Sequence, residues 1–176
     1  DALGLQPAVY HCNEGHAAFT GLERLREYVQ NDKLTFYEAL EVVRSSSLFT
    51  THTPVPAGHD FFSEDMLRTY MPHYAERLGI SWDTFMGLGK MNPQNTAENY
   101  SMSVLAAKLA QQINGVSKIH GRVSRKMFSD LYPGYFPEEL HVGYVTNGVH
   151  YGTWTAPEWQ QLFADTFGEK FHQNIA

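Results

Sequence analysis

Ser47-Leu48-Phe49-Thr50-Thr51-His52-Thr53-Pro54-Val55-Pro56-Ala57-Gly58 starts apolar, turns hydroxyl-rich and ends in two prolines and a glycine. Residues 47–51 read as a short buried strand. The prolines fix φ and lack a donor, so nothing regular continues past Thr53. The same pattern, an apolar run broken by a polar cluster, occurs twice more. Pro7 to Cys12 stops at Asn13-Glu14-Gly15-His16, and Val142 to Thr146 stops at Asn147-Gly148.

Helical patterns fill the space between these strands. Ala17, Ala18, Leu22, Leu25 and Val29 recur at helical spacing, and Phe36 to Arg44 reads as a second helix. Ser63 caps a helix bearing Met66, Leu67, Tyr70 and Met71, and Ser81 opens another. Gly89 to Asn99 reads as a surface loop. Met102 to Gln112 and Val116 to Phe128 read as helices on either side of Asn114-Gly115, and a last helix begins near Pro157. Strands separated by helices imply an α/β fold with a parallel sheet, because parallel neighbours need long crossovers. In open sheets of this kind ligands bind outside the carboxyl ends of the strands, so the loops of His16, His52 and Asn147 are expected to converge.

The 176 residues, 43% hydrophobic and 18% charged, suit one folded unit that buries about two-thirds of its unfolded surface. A net charge of -6 with no basic run excludes nucleic acid and anionic membrane as electrostatic partners and favours a neutral ligand. The single cysteine, Cys12, rules out an intrachain disulfide framework and points to a reducing cytoplasmic setting. No stretch approaches the roughly 20 apolar residues that span a bilayer. Asp1-Ala2-Leu3-Gly4 has the character of neither a translation start nor a targeting segment, so the chain reads as an excised piece.

His11, Cys12, Asn13, Glu14 and His16 include metal-ligating types, but their spacing matches no zinc pattern, and no metal is expected. Glu14 and His16 also suit a helix start. His52, set among threonines just after a strand, reads as the lining of a polar pocket, with His59 and Asp60 weaker candidates. Asn147-Gly148 is a common turn dipeptide. Tyr132, Tyr135, Phe136, Trp154 and Trp159 have faces suited to a pyranose, although such residues are more often core.

Four blocks in this order and spacing resemble the α-glucan phosphorylases that act on glycogen, starch and maltodextrin. They are Asn13-Glu14-Gly15-His16-Ala17-Ala18-Phe19, Phe49-Thr50-Thr51-His52-Thr53-Pro54-Val55-Pro56, Asn114-Gly115-Val116-Ser117-Lys118-Ile119-His120 and Thr146-Asn147-Gly148-Val149. The resemblance implies a partial Rossmann-like domain of the two-domain glycosyltransferase type. Residues 1–176 would form the later part of the N-terminal domain, reaching the interdomain junction near 147–154. It implies a catalytic role for His52, with its imidazole near a sugar hydroxyl and its carbonyl near the anomeric centre. Asn147 would bind a further glucose hydroxyl, and Asn13, Glu14 and His16 would shape the same pocket.

The implied reaction is retaining phosphorolysis of α-1,4-glucan by inorganic phosphate to glucose 1-phosphate. Pyridoxal phosphate would be held by the C-terminal domain of the same parent chain, so the fragment alone would be inactive. Val55-Pro56-Ala57-Gly58 stands where animal and plant enzymes carry Leu-Pro-Glu-Ala, and His150-Tyr151-Gly152-Thr153-Trp154 stands where they carry Pro-Arg-Arg-Trp. Both replacements resemble the shorter bacterial and archaeal type, so allostery of the animal kind is not implied. Alternatives at this stage are a nucleotide-sugar-dependent glycogen synthase-like enzyme and a non-catalytic glucan-binding module. A homo-oligomer is left open.

Overall fold

All three expected strands form, and a fourth lies among them. The computed structural model describes residues 3–55 and 58–173, so Pro56-Ala57 in the proline loop lies outside the described residues. The strands are β1 (Tyr10–Asn13), β2 (Ser47–Thr50), β3 (Phe61–Phe62), β4 (Tyr100–Ser101), β5 (Gln112–Gly115) and β6 (Val142–Tyr144). One sheet has the order β1-β2-β5-β6 with every pair parallel. A separate antiparallel pair joins β3 and β4.

The crossovers are helical, as parallel pairing requires. α1 (Phe19–Gln30) and α2 (Phe36–Ser45) link β1 to β2. α3 (Glu64–Tyr70), α4 (Tyr74–Arg77), α5 (Trp82–Leu88) and α6 (Met102–Lys108) lie between β2 and β5, and α7 (Lys118–Met127) links β5 to β6. Their starts are written in the sequence. Thr35 and Glu38 form a reciprocal capping box on α2, and Ser63, Ser81, Ser101 and Ser117 each accept a backbone N–H at a helix start.

The helices bury their apolar stripes against the sheet. Leu22, Leu25, Val43, Phe49, Phe85, Leu105, Ile113 and Phe128 are almost wholly buried, each contributing about 1.5–3 kcal/mol by leaving water. Phe49 of β2 meets Phe128 edge to face at 6.0 Å. α7 comes very close to the sheet. A Cβ on Gly115 would lie 2.9 Å from the Gly121 nitrogen, and one on Gly121 would lie 3.0 Å from the Gly143 oxygen.

Three expectations need correction. The helix read from Met102 to Gln112 ends at Lys108, and residues 112–115 form the inner strand β5. Ile113 is the strand's only buried hydrophobe, so no apolar run announces it. The polar Asn114 is tolerated because β2 supplies a partner for its side chain. Of the five aromatic residues, only Tyr132 packs partly against the core, while Tyr135, Phe136, Trp154 and Trp159 are exposed.

The described residues divide into two compact units between Thr146 and Asn147. The second contains α8 (Tyr151–Trp154) and α9 (Pro157–Phe167), the latter starting at the expected proline. Phe171 gathers Tyr151 and Phe163 at ring distances of 5.3 and 5.7 Å. Among the described residues no helix is long and apolar enough to cross a membrane.

Candidate functional site

Parallel register puts Asn13, Thr50 and Asn114 side by side, at the carboxyl ends of β1 and β2 and one residue before the end of β5. Their side chains and those just beyond form one polar network. The Thr50 hydroxyl donates to Asn114 Oδ1 at 2.9 Å, which uses its single proton. His11 Nε2, 2.7 Å from Thr50 Oγ1, must therefore be the donor in that contact. At the next step along β2 the Thr51 N–H donates to the Asn114 carbonyl at 3.0 Å.

His52 follows directly and is held at two points by the end of β1. Its backbone N–H donates to the Glu14 carboxylate, and its Nε2 donates to Asn13 Oδ1 at 2.7 Å. A neutral His52 thus keeps Nδ1 free as an acceptor. With both backbone and ring fixed, the His52 peptide has little freedom to rotate.

Glu14 takes an unusual conformation to make this contact. Its φ of 65° and ψ of 168° lie in a region almost reserved for glycine, at a cost of about 1–3 kcal/mol. The surroundings over-determine it. Its N–H donates to the Thr50 carbonyl at 2.9 Å, its carbonyl accepts from Cys12 Sγ at 3.1 Å, and its carboxylate holds His52. Strain kept in this way is typical of sites in which geometry matters more than stability. Burial, and next the Glu14 carboxylate, push the Cys12 thiol up to about 11, so it is an unreactive thiol.

Gly15 lets this corner close. A Cβ there would lie 2.7 Å from Ser103 Oγ and 2.8 Å from the Ser103 nitrogen, at the start of α6. Ser103 Oγ in turn sits 2.6 Å from His59 Nδ1. His59, a weaker sequence candidate, therefore anchors the far end of the proline loop.

On the other side of the network, the Val116 N–H donates to His120 Nδ1 at 3.2 Å. His120 is 8% exposed, and its Nε2 is buried without a partner among the described residues. Burial holds its pKa below the ordinary histidine value; the Glu14 carboxylate opposes that shift and His52 adds to it, so His120 senses both.

The structure thus brings Asn13, Glu14 and His52 into direct contact. His16 lies in the adjoining turn, exposed and without a side-chain hydrogen bond among the described residues. Asn147 belongs to the second unit, in the exposed stretch that precedes α8. Sequence reasoning did not single out Thr50, Asn114 and His120. The polar residues Thr50 and Asn114, next to the buried apolar residues Phe49 and Ile113, were the available signal. Among the described residues no three of His, Cys, Asp and Glu stand close enough to hold a metal ion.

A polar network of histidine, amide and carboxylate at the carboxyl ends of adjacent parallel strands marks an α/β fold with a candidate site at the edge of the sheet where such folds usually bind ligands. Residues 5–176 match the family model of carbohydrate phosphorylases. The chain is 47% identical over 168 residues to a glycogen phosphorylase of Mycobacterium tuberculosis, covering 92% of this chain and 19% of that protein. It is 40% identical over 160 residues to a maltodextrin phosphorylase of Thermococcus litoralis, covering 91% of this chain and 18% of that protein. The liver form of human glycogen phosphorylase is 24% identical over 197 residues, covering all of this chain and 22% of that protein. The chain belongs to the carbohydrate phosphorylase family. It spans about a fifth of the length of these relatives.

Proposed function

We propose that this chain supplies one wall of the donor-sugar site of an α-1,4-glucan phosphorylase, whose parent protein releases glucose 1-phosphate from glucan ends with inorganic phosphate. The observation that carries the reading is the double grip of Asn13 and Glu14 on His52. Breaking a glycosidic bond develops positive charge at the anomeric carbon. A fixed carbonyl aimed at that carbon needs no reorganisation as the charge appears, and such preorganised groups are often worth about 3 kcal/mol. His52 would supply the carbonyl, Asn13 and Glu14 would hold it, and His16 would add to the sugar-binding wall, while Asn147 is given a glucose hydroxyl by the family resemblance alone.

Two of this chain's lysines are engaged with its own backbone and make poor partners for pyridoxal phosphate, the family's implied cofactor. Lys90 Nζ donates to the Asn95 carbonyl at 3.1 Å, and Lys108 Nζ donates to the Gly87 and Lys90 carbonyls at 2.7 and 2.6 Å. Both ammonium groups are committed to the backbone, and Lys118 is exposed on α7. On this reading, which follows the family resemblance, the cofactor and the groups that bind substrate phosphate would lie in the parent's C-terminal domain, with residues 1–176 belonging to its N-terminal domain. A cytoplasmic setting suits the inert thiol of Cys12.

The test is to assay the intact parent and this chain side by side with maltodextrin, phosphate and pyridoxal phosphate. The parent should form glucose 1-phosphate and the chain alone should not. A parent that consumes a nucleotide sugar instead, or an isolated chain that turns over, would refute the reading.

A further inference from the structure

β5 is the platform on which the His52 segment rests, and His120 closes the turn that ends it. Asn114 of β5 accepts from Thr50 Oγ1 and from the Thr51 N–H. Two residues further on, the Val116 N–H turns back to His120 Nδ1 at 3.2 Å. A nitrogen that accepts from an amide carries no proton, so His120 here is neutral with its proton on Nε2. The packing is close: a Cβ on Gly115 would sit 2.9 Å from His120 Nδ1, so only glycine fits beside the ring.

The Nε2–H has no outlet. It is buried without a partner among the described residues, in a side chain only 8% exposed. The titratable groups it senses come from two other segments, Glu14 just after β1 and His52 after β2. Nothing in the network receives a second proton on Nδ1. Protonation would set two N–H groups against each other at Val116 and undo the turn.

Resting on the reading of this wall as a sugar site, we propose that His120 is a positioning residue for it: the neutral imidazole locks the Gly115–Ser117 turn and so fixes the platform under Thr51 and His52. The ring acts through backbone hydrogen bonds and not by touching substrate. Its effect belongs on turnover more than on glucan affinity, because the element it holds in place carries His52.

His120→Asn and His120→Leu in the intact parent test this. Asparagine places an amide oxygen where Nδ1 stands and has no titrating proton, whereas leucine fills the space without an acceptor. The asparagine variant should keep kcat within about threefold of the native enzyme at neutral pH, and leucine should lose about tenfold or more, since leaving a buried amide unpaired exceeds the cost of a typical hydrogen bond. KM for glucan should move less than kcat in both. On acidification below about pH 6.5, the native enzyme should lose kcat more steeply than the asparagine variant. A fully active leucine variant, an asparagine variant as damaged as leucine, or superimposable acid limbs would overturn the proposal.

Hydrogen exchange of the Val116 amide in the intact protein gives a readout independent of activity. Protection that is lost in acid in the native protein and kept in the asparagine variant supports the lock, and unchanged protection in acid refutes it. If the parent shows no phosphorolysis, the functional reading fails and the exchange result still decides the role of His120.

Discussion

Replacing Glu14 by glycine, by alanine and by glutamine separates the strain this residue stores from the contact it makes. Its φ of 65° and ψ of 168° cost about 1–3 kcal/mol for any residue with a Cβ. Alanine keeps that cost and loses the carboxylate that accepts the His52 N–H, an exposed charge-assisted bond worth about 1.5 kcal/mol at most. Glycine loses the same bond but relieves the strain, with about 0.4–1 kcal/mol returned to the freer unfolded chain. The glycine variant should therefore be more stable than the alanine variant by about 1–2 kcal/mol and close to the native protein. In this chain that difference corresponds to a Tm higher by about 2–8 °C.

Turnover in the parent should behave differently. Neither small residue can hold His52, so both variants should lose kcat together, while glutamine keeps an oxygen at the right reach and retains more. The assays are thermal and urea unfolding for stability and glucose 1-phosphate formation for kcat. Equal stability of the glycine and alanine variants would refute the strained backbone. Full turnover of the glycine variant would show that the carboxylate does not position His52.

Gly15→Ala should destabilise the chain by about 1–3 kcal/mol in urea unfolding, because its Cβ would meet the Ser103 backbone nitrogen at 2.8 Å as well as the Ser103 hydroxyl at 2.7 Å, and the backbone cannot step aside as a side chain can. Asn147→Ala should cost about three- to tenfold in kcat/KM, the value of one hydrogen bond. His52→Ala should cost more and chiefly in kcat, because it also loosens the backbone carbonyl, and equal losses for the two would contradict the division of roles. Burial lowers the Lys108 pKa to about 8, below its unfolded value, so the unfolded chain binds more protons between that pH and about 10.5. Its contribution to stability falls as pH drops through that window. The native chain should therefore gain unfolding free energy relative to Lys108→Met as pH rises across it, and parallel pH curves would exclude the effect.

The sequence by itself determined the elements that announce themselves locally. β1, β2 and β6 were legible as apolar runs ending in polar clusters, and α2 was legible to within a residue from Phe36, because its capping box and apolar stripe are chemical signals within one segment. The α/β class followed from the alternation of such segments. His52 was legible as a candidate because polar residues right after a buried strand need partners, whereas Asn13 and Glu14 became candidates only through the family resemblance.

Tertiary structure alone decided the rest. Gln112–Gly115 lacks the apolar run of a central strand, and Asn114 enters the sheet only because Thr50 arrives beside it from 64 residues away. No local pattern encodes the left-handed backbone of Glu14, which is held by partners on β2 and by the N–H of His52. Nor could spacing reveal that His120, read as part of a helix, faces a turn with one nitrogen and leaves the other buried and, among the described residues, unpaired. Hydrogen-bond partners of short polar side chains are chosen by sheet register, and register is a property of the assembled strands.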